Sequence, residues 1–270
     1  MTRPRVLGCA LLAATAILPA IPAAAAMAEI LPHRAVYEME LDQAEGRSNI
    51  ADVEGFMMFE WRDSCDGWSV TQKMAMTVYY STGESTDFGW TLNSWEAKNG
   101  LKYGYFVRRM QDGQEQEALR GSAELQGPGK AGAAHYTEPE RRDVELPAGT
   151  LFPTAHTIKV LELAEAGEHL FWSEVFDGSD EQGLFGVGVI MGKRTDAPTD
   201  EKTPKDLAGV PSWRLGLAFF PHGSKELEPE HEQNLRLYRN GVAEDLVLQY
   251  GDFSVRTVLK QLEKLPPPGC

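Results

Sequence analysis

Beginning at Tyr37, apolar and polar side chains alternate one by one wherever turn residues leave room, and this period of two constrains the fold more than any other feature. Tyr37, Met39 and Leu41 alternate with Glu38, Glu40 and Asp42, and Val53, Met57, Phe59 and Trp61 share a face opposite Asp52, Glu54, Glu60 and Arg62. Successive side chains of a strand point to opposite faces, so each run describes a ribbon with one buried and one wet side. The pattern continues in Met74, Met76, Val78 and Tyr80, in Tyr103, Tyr105 and Val107, and in a more polar run from Glu115 to Leu125. Turn signals fall between these runs at hairpin intervals: Ser81 to Thr86, Lys98-Asn99-Gly100, Gln111-Asp112-Gly113 and Gly127-Pro128-Gly129. Such spacing predicts a meander of antiparallel strands rather than alternating strand and helix.

One segment breaks the rhythm. Thr154 to Ala166 holds no glycine or proline and places Ala155, Ile158 and Leu161 at helical spacing, with Val160, Leu163 and Ala164 widening the stripe. Pro153 suits the start of a helix and Gly167 its stop, so we expect one amphipathic helix packed against the sheet. Strand-like runs follow at Leu170 to Asp177, Leu184 to Lys193, Trp213 to Phe220, Asn234 to Arg239 and Asp245 to Val255. Phe185, Val187, Val189 and Met191 alternate with Gly186, Gly188 and Gly192, and glycine at alternate positions permits a tight bend or a close approach. The expectation is a mainly β chain built on a single strongly curved antiparallel sheet. The tail around Val255 to Leu262 fits either strand or short helix, with strand preferred because Thr257 and Val258 are β-branched. Thr195 to Gly209, with Pro198 and Pro204, lacks a core pattern and reads as a mobile loop.

The first 28 residues have the layout of an export signal. Arg3 and Arg5 precede an apolar stretch from Val6 to Ile21 that is short for a membrane anchor, and both Ala24-Ala25-Ala26 and Ala26-Met27-Ala28 fit an A-x-A cleavage pattern. We therefore expect residues 1–28 to be removed and residues 29–270 to form one domain in the periplasm. Val6-Leu7-Gly8-Cys9 resembles a lipidation box, but most of the apolar stretch follows it instead of preceding it. Loss of the leader leaves Cys65 and Cys270 from three cysteines. In an oxidising compartment these two suggest an intramolecular staple, with a free thiol or an intermolecular bridge as the alternatives.

Charge and motif content narrow the function. The whole chain has a formal charge of −14, and cleavage would also remove two arginines. Phosphate backbones and anionic lipid surfaces repel such a molecule, which sets nucleic acid aside as a partner. The six histidines are scattered, without H-E-x-x-H or a ligand pair at helical spacing. There is no G-x-S-x-G elbow, phosphate-cradling loop or dinucleotide fingerprint. We therefore expect no catalytic residues, metal or cofactor. His156, near the start of the expected helix, is the histidine best placed to face a cavity, although a helix-surface position is the simpler reading. Asp177-Gly178-Ser179-Asp180-Glu181 has the carboxylate density of a calcium loop without its spacing and reads as a hairpin turn. Glu226, Glu228, Glu230, His231 and Glu232 read as a solvated charge run. Trp61, Trp68, Trp90, Trp95 and Trp172, together with His156, are the candidate pocket-lining residues, against core packing as the simpler role for the tryptophans.

Several of these stretches together resemble the EipB family of exported cell-envelope proteins of alphaproteobacteria. The resemblance is carried by His33-Arg34-Ala35-Val36-Tyr37, Cys65 with Trp68, the Trp90 to Trp95-Glu96 stretch, Pro153-Thr154-x-His156-Thr157, Val175-Phe176-Asp177-Gly178-Ser179, Tyr250-Gly251-Asp252-Phe253 and Cys270. It implies a periplasmic β-spiral or incomplete barrel with a disulfide at the positions of Cys65 and Cys270. It also implies a role in envelope integrity without enzymatic activity. Two non-enzymatic readings follow. One is a factor acting through a protein partner, such as a tetratricopeptide-repeat protein. The other is a carrier holding a lipid or lipoprotein acyl chain in the concave face of the sheet. An envelope hydrolase would require a nucleophile, a histidine and a carboxylate to converge.

Overall fold

The computed structural model describes residues 29–270 except 182, 201, 202 and 226, so the expected leader, with Cys9 and the cleavage site, lies outside the described residues. The first half of the chain forms eight strands: β1 (His33–Ala44), β2 (Ile50–Asp63), β3 (Gly67–Tyr80), β4 (Ser85–Ala97), β5 (Lys102–Gln111), β6 (Gln114–Leu125), β7 (Gly132–Glu138) and β8 (Arg142–Leu146). Helix α1 (Pro153–Glu165) follows. The second half contains β9 (Leu170–Phe176), β10 (Leu184–Met191), the two-residue β11 (Thr195–Asp196), β12 (Pro211–Pro221), β13 (His231–Tyr238), β14 (Ala243–Tyr250) and β15 (Phe253–Lys264).

All but β11, which pairs only with β12, lie in one continuous order, β8-β7-β6-β5-β4-β3-β2-β1-β15-β14-β13-β12-β10-β9. Each half is a run of antiparallel neighbours, and the halves join where β1 pairs with β15 from His33–Lys264 to Ala44–Phe253. The sheet therefore ends at two strands that are consecutive in the chain, β8 and β9, with α1 between them. The curved sheet nearly closes there, through one parallel bridge between Leu151 and Val175.

The predicted alternation holds where it is strongest. His33, Ala35, Tyr37 and Met39 of β1 are buried, as are Val53, Met57 and Trp61 of β2. Ala35, Tyr37, Met39, Val53 and Met57 form one cluster with Met76, Val78 and Val255, and the Tyr37 hydroxyl donates to the Ala243 carbonyl at 2.8 Å. A second cluster stacks Tyr103, Tyr105, Tyr136, Phe152 and Phe176. A third packs Val160, Leu161 and Ala164 of α1 against Trp61, Phe185, Val187, Val189, Met191 and Trp213.

Several expectations need correction. Strands β4, β7 and β8 were not evident in the sequence: most of β4 is half-buried on both faces, and β7 and β8 present few large apolar side chains inward. The run from Asp245 to Val255 is two strands, broken at Gly251, whose φ of +66° makes the turn between β14 and β15. The tail is strand, as preferred. Thr195 to Gly209 is not a free loop. Thr195 and Asp196 pair with β12, and Ala197 and Leu207 are buried against Tyr238 and Val242. Two apolar anchors so far apart leave no periodic trace.

Candidate functional site: a cleft at the seam of the sheet

The connection from β8 to β9 must cross the unfinished side of the sheet, and α1 makes that crossing. Its first turn has no side-chain cap of its own, since Phe152 occupies the N-cap. Glu96, at the end of β4, supplies the cap from outside the helix: its carboxylate accepts the N–H groups of Thr154 at 2.7 Å and Ala155 at 2.8 Å. An anion at a helix N-terminus satisfies free donors and opposes the helix dipole. Glu96 is only 2% exposed. Burial pushes its carboxyl up to about 7, while the hydrogen bonds from Thr154 and Ala155 pull it down.

Beside α1, a cleft of about 610 Å³ opens along β9. Its walls are the β4–β5 turn at Lys98, Asn99 and Gly100, the segment from Ala148 to Leu151, the helix residues Ala155, Ile158, Lys159 and Glu162, and β9 residues Phe171 to Glu174. Lys98 pairs with Asp63 at 2.8 Å, Lys159 lies 3.9 Å from Glu162, and Glu174 meets His222 at 2.8 Å. The charged groups of the cleft are thus already partnered, and the remaining surface is mainly apolar.

The outer rim is strongly apolar. Leu170 is 73% exposed, Trp172 57% and Ile190 65%. Trp172 lies across Gly186 and Gly188 of β10 and packs on Phe220, with ring centroids 5.7 Å apart. A side chain at Gly186 would run into the indole. The alternating glycines of β10 therefore serve this close approach.

His156 does not line the cleft; it is only 6% exposed and stacks on Phe171 at 5.9 Å, so it is not on the helix surface either. The helix is rotated so that Thr154, His156, Val160, Leu161 and Ala164 face inward. Burial alone lowers the imidazole to about 4, which keeps it neutral at pH 7. Neither His156 Nε2 nor the hydroxyl of Ser173, which lines the cleft and is 8% exposed, has a hydrogen-bond partner among the described residues.

The candidate tryptophans do not gather in one pocket. Trp172 lines the cleft. Trp61 and Trp68 meet edge to face at 6.0 Å in the core, with Lys98 Nζ 5.1 Å from the Trp68 ring. Trp95 packs on Gly67 and donates to the Ser64 hydroxyl at 3.2 Å, and Trp90 sits half-buried in mid-β4. Sequence reasoning missed Phe171, Ser173 and the capping role of Glu96. The topology that sets one beside another leaves no local pattern.

Two other sequence features resolve as structure. The Asp177 to Glu181 turn closes over the tyrosine cluster: Tyr103 donates to the Asp177 carbonyl, Tyr136 to that of Asp180, and Arg109 to that of Ser179. Burial raises the Asp177 carboxyl to about 6. Among the described residues no group of three His, Cys, Asp or Glu is placed to hold a metal. Of the acidic run, Glu226 lies outside the described residues, Glu228, Glu230 and Glu232 are exposed, and His231 stacks on Phe219 at 4.1 Å.

Cys65 and Cys270 form a disulfide with their Cα atoms 6.2 Å apart, across 205 residues. It binds the C-terminus to the β2–β3 turn. No described helix is long and apolar enough to cross a membrane.

Comparison with known proteins agrees with the fold. A family model described as EipB-like matches residues 24–266. The cell envelope integrity protein EipB of Brucella abortus (strain 2308) is 30% identical over 246 residues, covering 89% of this chain and 86% of the relative. A crystal structure from Brucella abortus, described as a beta-barrel-like protein of the domain of unknown function DUF1849, superposes with a TM-score of 0.80. It is 27% identical and covers 88% of this chain and all of its own.

Proposed function

The chain belongs to the EipB-like family, and from that premise we propose that it is a non-enzymatic periplasmic protein that supports the integrity of the cell envelope by engaging a protein partner. The observation that carries this reading is the 30% identity, across most of both chains, to a relative named for cell envelope integrity. The basic and apolar leader favours the periplasm, where a disulfide such as Cys65–Cys270 persists. Residues 29–270 act as one domain in this reading, because β1 and β15 pair along their length and unite the two halves of the sheet.

A non-enzymatic role accords with the cleft. The buried His156 has burial as the cause of its shift, with no charged neighbour contributing. A general base needs an orienting partner and a nucleophile within hydrogen-bond reach. The acyl-chain carrier reading needs an open hollow between helix and sheet. That concave face is filled by Trp61, Val160, Leu161, Val187 and Trp213, so we favour the protein partner. A tetratricopeptide-repeat protein is the partner class to try first.

Deleting the gene in its native host should sensitise cells to deoxycholate and to inhibitors of wall synthesis, with resistance restored by the wild-type copy. A deletion strain as resistant as its parent would refute the proposal. Native mass spectrometry of protein taken from its own periplasm should show a co-purifying polypeptide. Bound lipid in its place would favour the carrier.

A further inference from the structure

Strand β9 ends the sheet, and its backbone is only partly used on that side. Leu151 donates its N–H to the Glu174 carbonyl at 2.9 Å, and its carbonyl accepts from the Phe176 N–H at 3.0 Å. The even-numbered residues of β9 therefore direct their backbone groups towards the seam. By strand alternation the N–H and C=O of Trp172 and the N–H of Glu174 point the same way. Among the described residues no strand lies beside them, since the bridge at Leu151 is a single pair and β9 ends the strand order.

Natural sheets blunt such an edge with lysine, proline, inward charge or a covering element. Leu170 to Ser173 carry none of the first three. Instead the edge presents Leu170 and Trp172, with Trp172 held against Gly186, Gly188 and Phe220 as a fixed aromatic platform. Ser173, more than nine-tenths buried, lines the cleft with an unpartnered hydroxyl. Together these features point to an occupant with hydrogen bonds to offer. An acyl chain would leave Ser173 and the edge amides unpaired, at a cost of about 1–3 kcal/mol for each buried group.

Charge narrows the occupant further. Lys98 and Lys159 balance Glu162 and Glu174 around the cleft, and all four already have ionic partners. We infer that the open edge of β9 is a docking site for an extended, uncharged polypeptide segment of a partner protein, which adds as a strand beside Trp172 and Glu174 and lays apolar side chains on Leu170, Trp172 and Ile190. The mode is strand addition, in which backbone pairing gives affinity and alternate side chains give specificity. The inference rests on the partner-binding reading above and gives that partner a place.

The test uses the mature, disulfide-intact protein and a panel of end-blocked eight-residue peptides alternating valine, leucine or isoleucine with threonine or serine. Binding is read by amide exchange of Trp172 and Glu174. The expected result is at least tenfold slower exchange at these two amides with one or more peptides. Protection should be lost when the same peptide is N-methylated at alternate residues, and lost in Trp172→Arg protein whose melting temperature is unchanged. Protection by none of the panel, or equal protection by the N-methylated peptide, would overturn the proposal. So would phosphatidylglycerol vesicles that protect the edge and displace the peptide. A concentration-dependent dimer that buries the same amides would reassign the edge to a second copy of this chain. Each result is independent of the deletion phenotype, so failure here and failure of the envelope reading are distinguishable.

Discussion

Glu96, at the end of β4, caps the first turn of α1 in which His156 lies, and burial moves the titrations of the two groups in opposite directions. Burial raises the Glu96 carboxyl to about 7 from the 4.5 of a free glutamate, so its contribution to stability is full below pH 4.5 and is lost as pH rises towards 7. The His156 imidazole titrates at about 4 against 6.5, so its contribution is full above pH 6.5 and is lost as pH falls towards 4. Each shift corresponds to about 3 kcal/mol, and the two slopes oppose each other between pH 4.5 and 6.5. Melting curves across that range should therefore separate the sites. Relative to wild type, Glu96→Gln should gain stability as pH rises and His156→Gln should gain it as pH falls. Parallel profiles for all three proteins would show that neither group is buried as described. The sequence displayed His156 at the head of the helix but not its burial, because the stripe of Ala155, Ile158 and Leu161 suggested a different face. Glu96 was legible only as part of a motif, since its partner lies 58 residues away.

Helix and strands differ in how openly the sequence announces them. Pro153 and Gly167 bracket α1 as expected, and Gly167 adopts a φ of +84°. Strands β1 and β2 are legible because one face is buried and the other more exposed, and β10 because large apolar side chains alternate with glycines although most of both faces is buried. Strand β4 is not, since Trp90, Leu92 and Trp95 fall on no single face and its neighbours on both sides supply the pairing instead. The alternating glycines of β10 suggest a tight bend or the approach of another backbone, whereas at Gly186 and Gly188 it is the side chain of Trp172 that lies close. α1 is held by packing more than by its own termini, so Leu161→Ala should cost about 2–5 kcal/mol, measured by urea unfolding. A change below about 0.5 kcal/mol, typical of surface substitutions, would mean that α1 does not anchor the seam. Gly186→Val should displace the indole of Trp172 and raise its fluorescence sensitivity to acrylamide, with little effect on the core. Unchanged quenching would show that the glycine does not position the tryptophan.

At the scale of the whole molecule, a sheet whose ends are consecutive strands would be free to splay if only one parallel bridge closed it. α1 and the capping carboxylate of Glu96 hold the seam, and the disulfide ties the chain end to the β2–β3 turn, which itself meets the end of β4 through Lys98–Asp63 and Trp95–Ser64. Cys65→Ser in the mature protein should lower the melting temperature by roughly 5–15 °C. A shift under 2 °C would make the bond dispensable. The bond was legible from the count of cysteines and their likeness to the family pattern, whereas the near-closure of the sheet was legible only as curvature. The cleft was the least legible feature, because it is created by the meeting of four chain segments at the seam. In the proposed reading, this cleft beside β9, presented by a barrel-like sheet, is where the protein acts for the envelope. Complementation of the deletion strain with wild-type protein and with Trp172→Arg, matched for periplasmic level and melting temperature, tests that reading: wild type should restore deoxycholate resistance and Trp172→Arg should not, and full rescue by Trp172→Arg would overturn it.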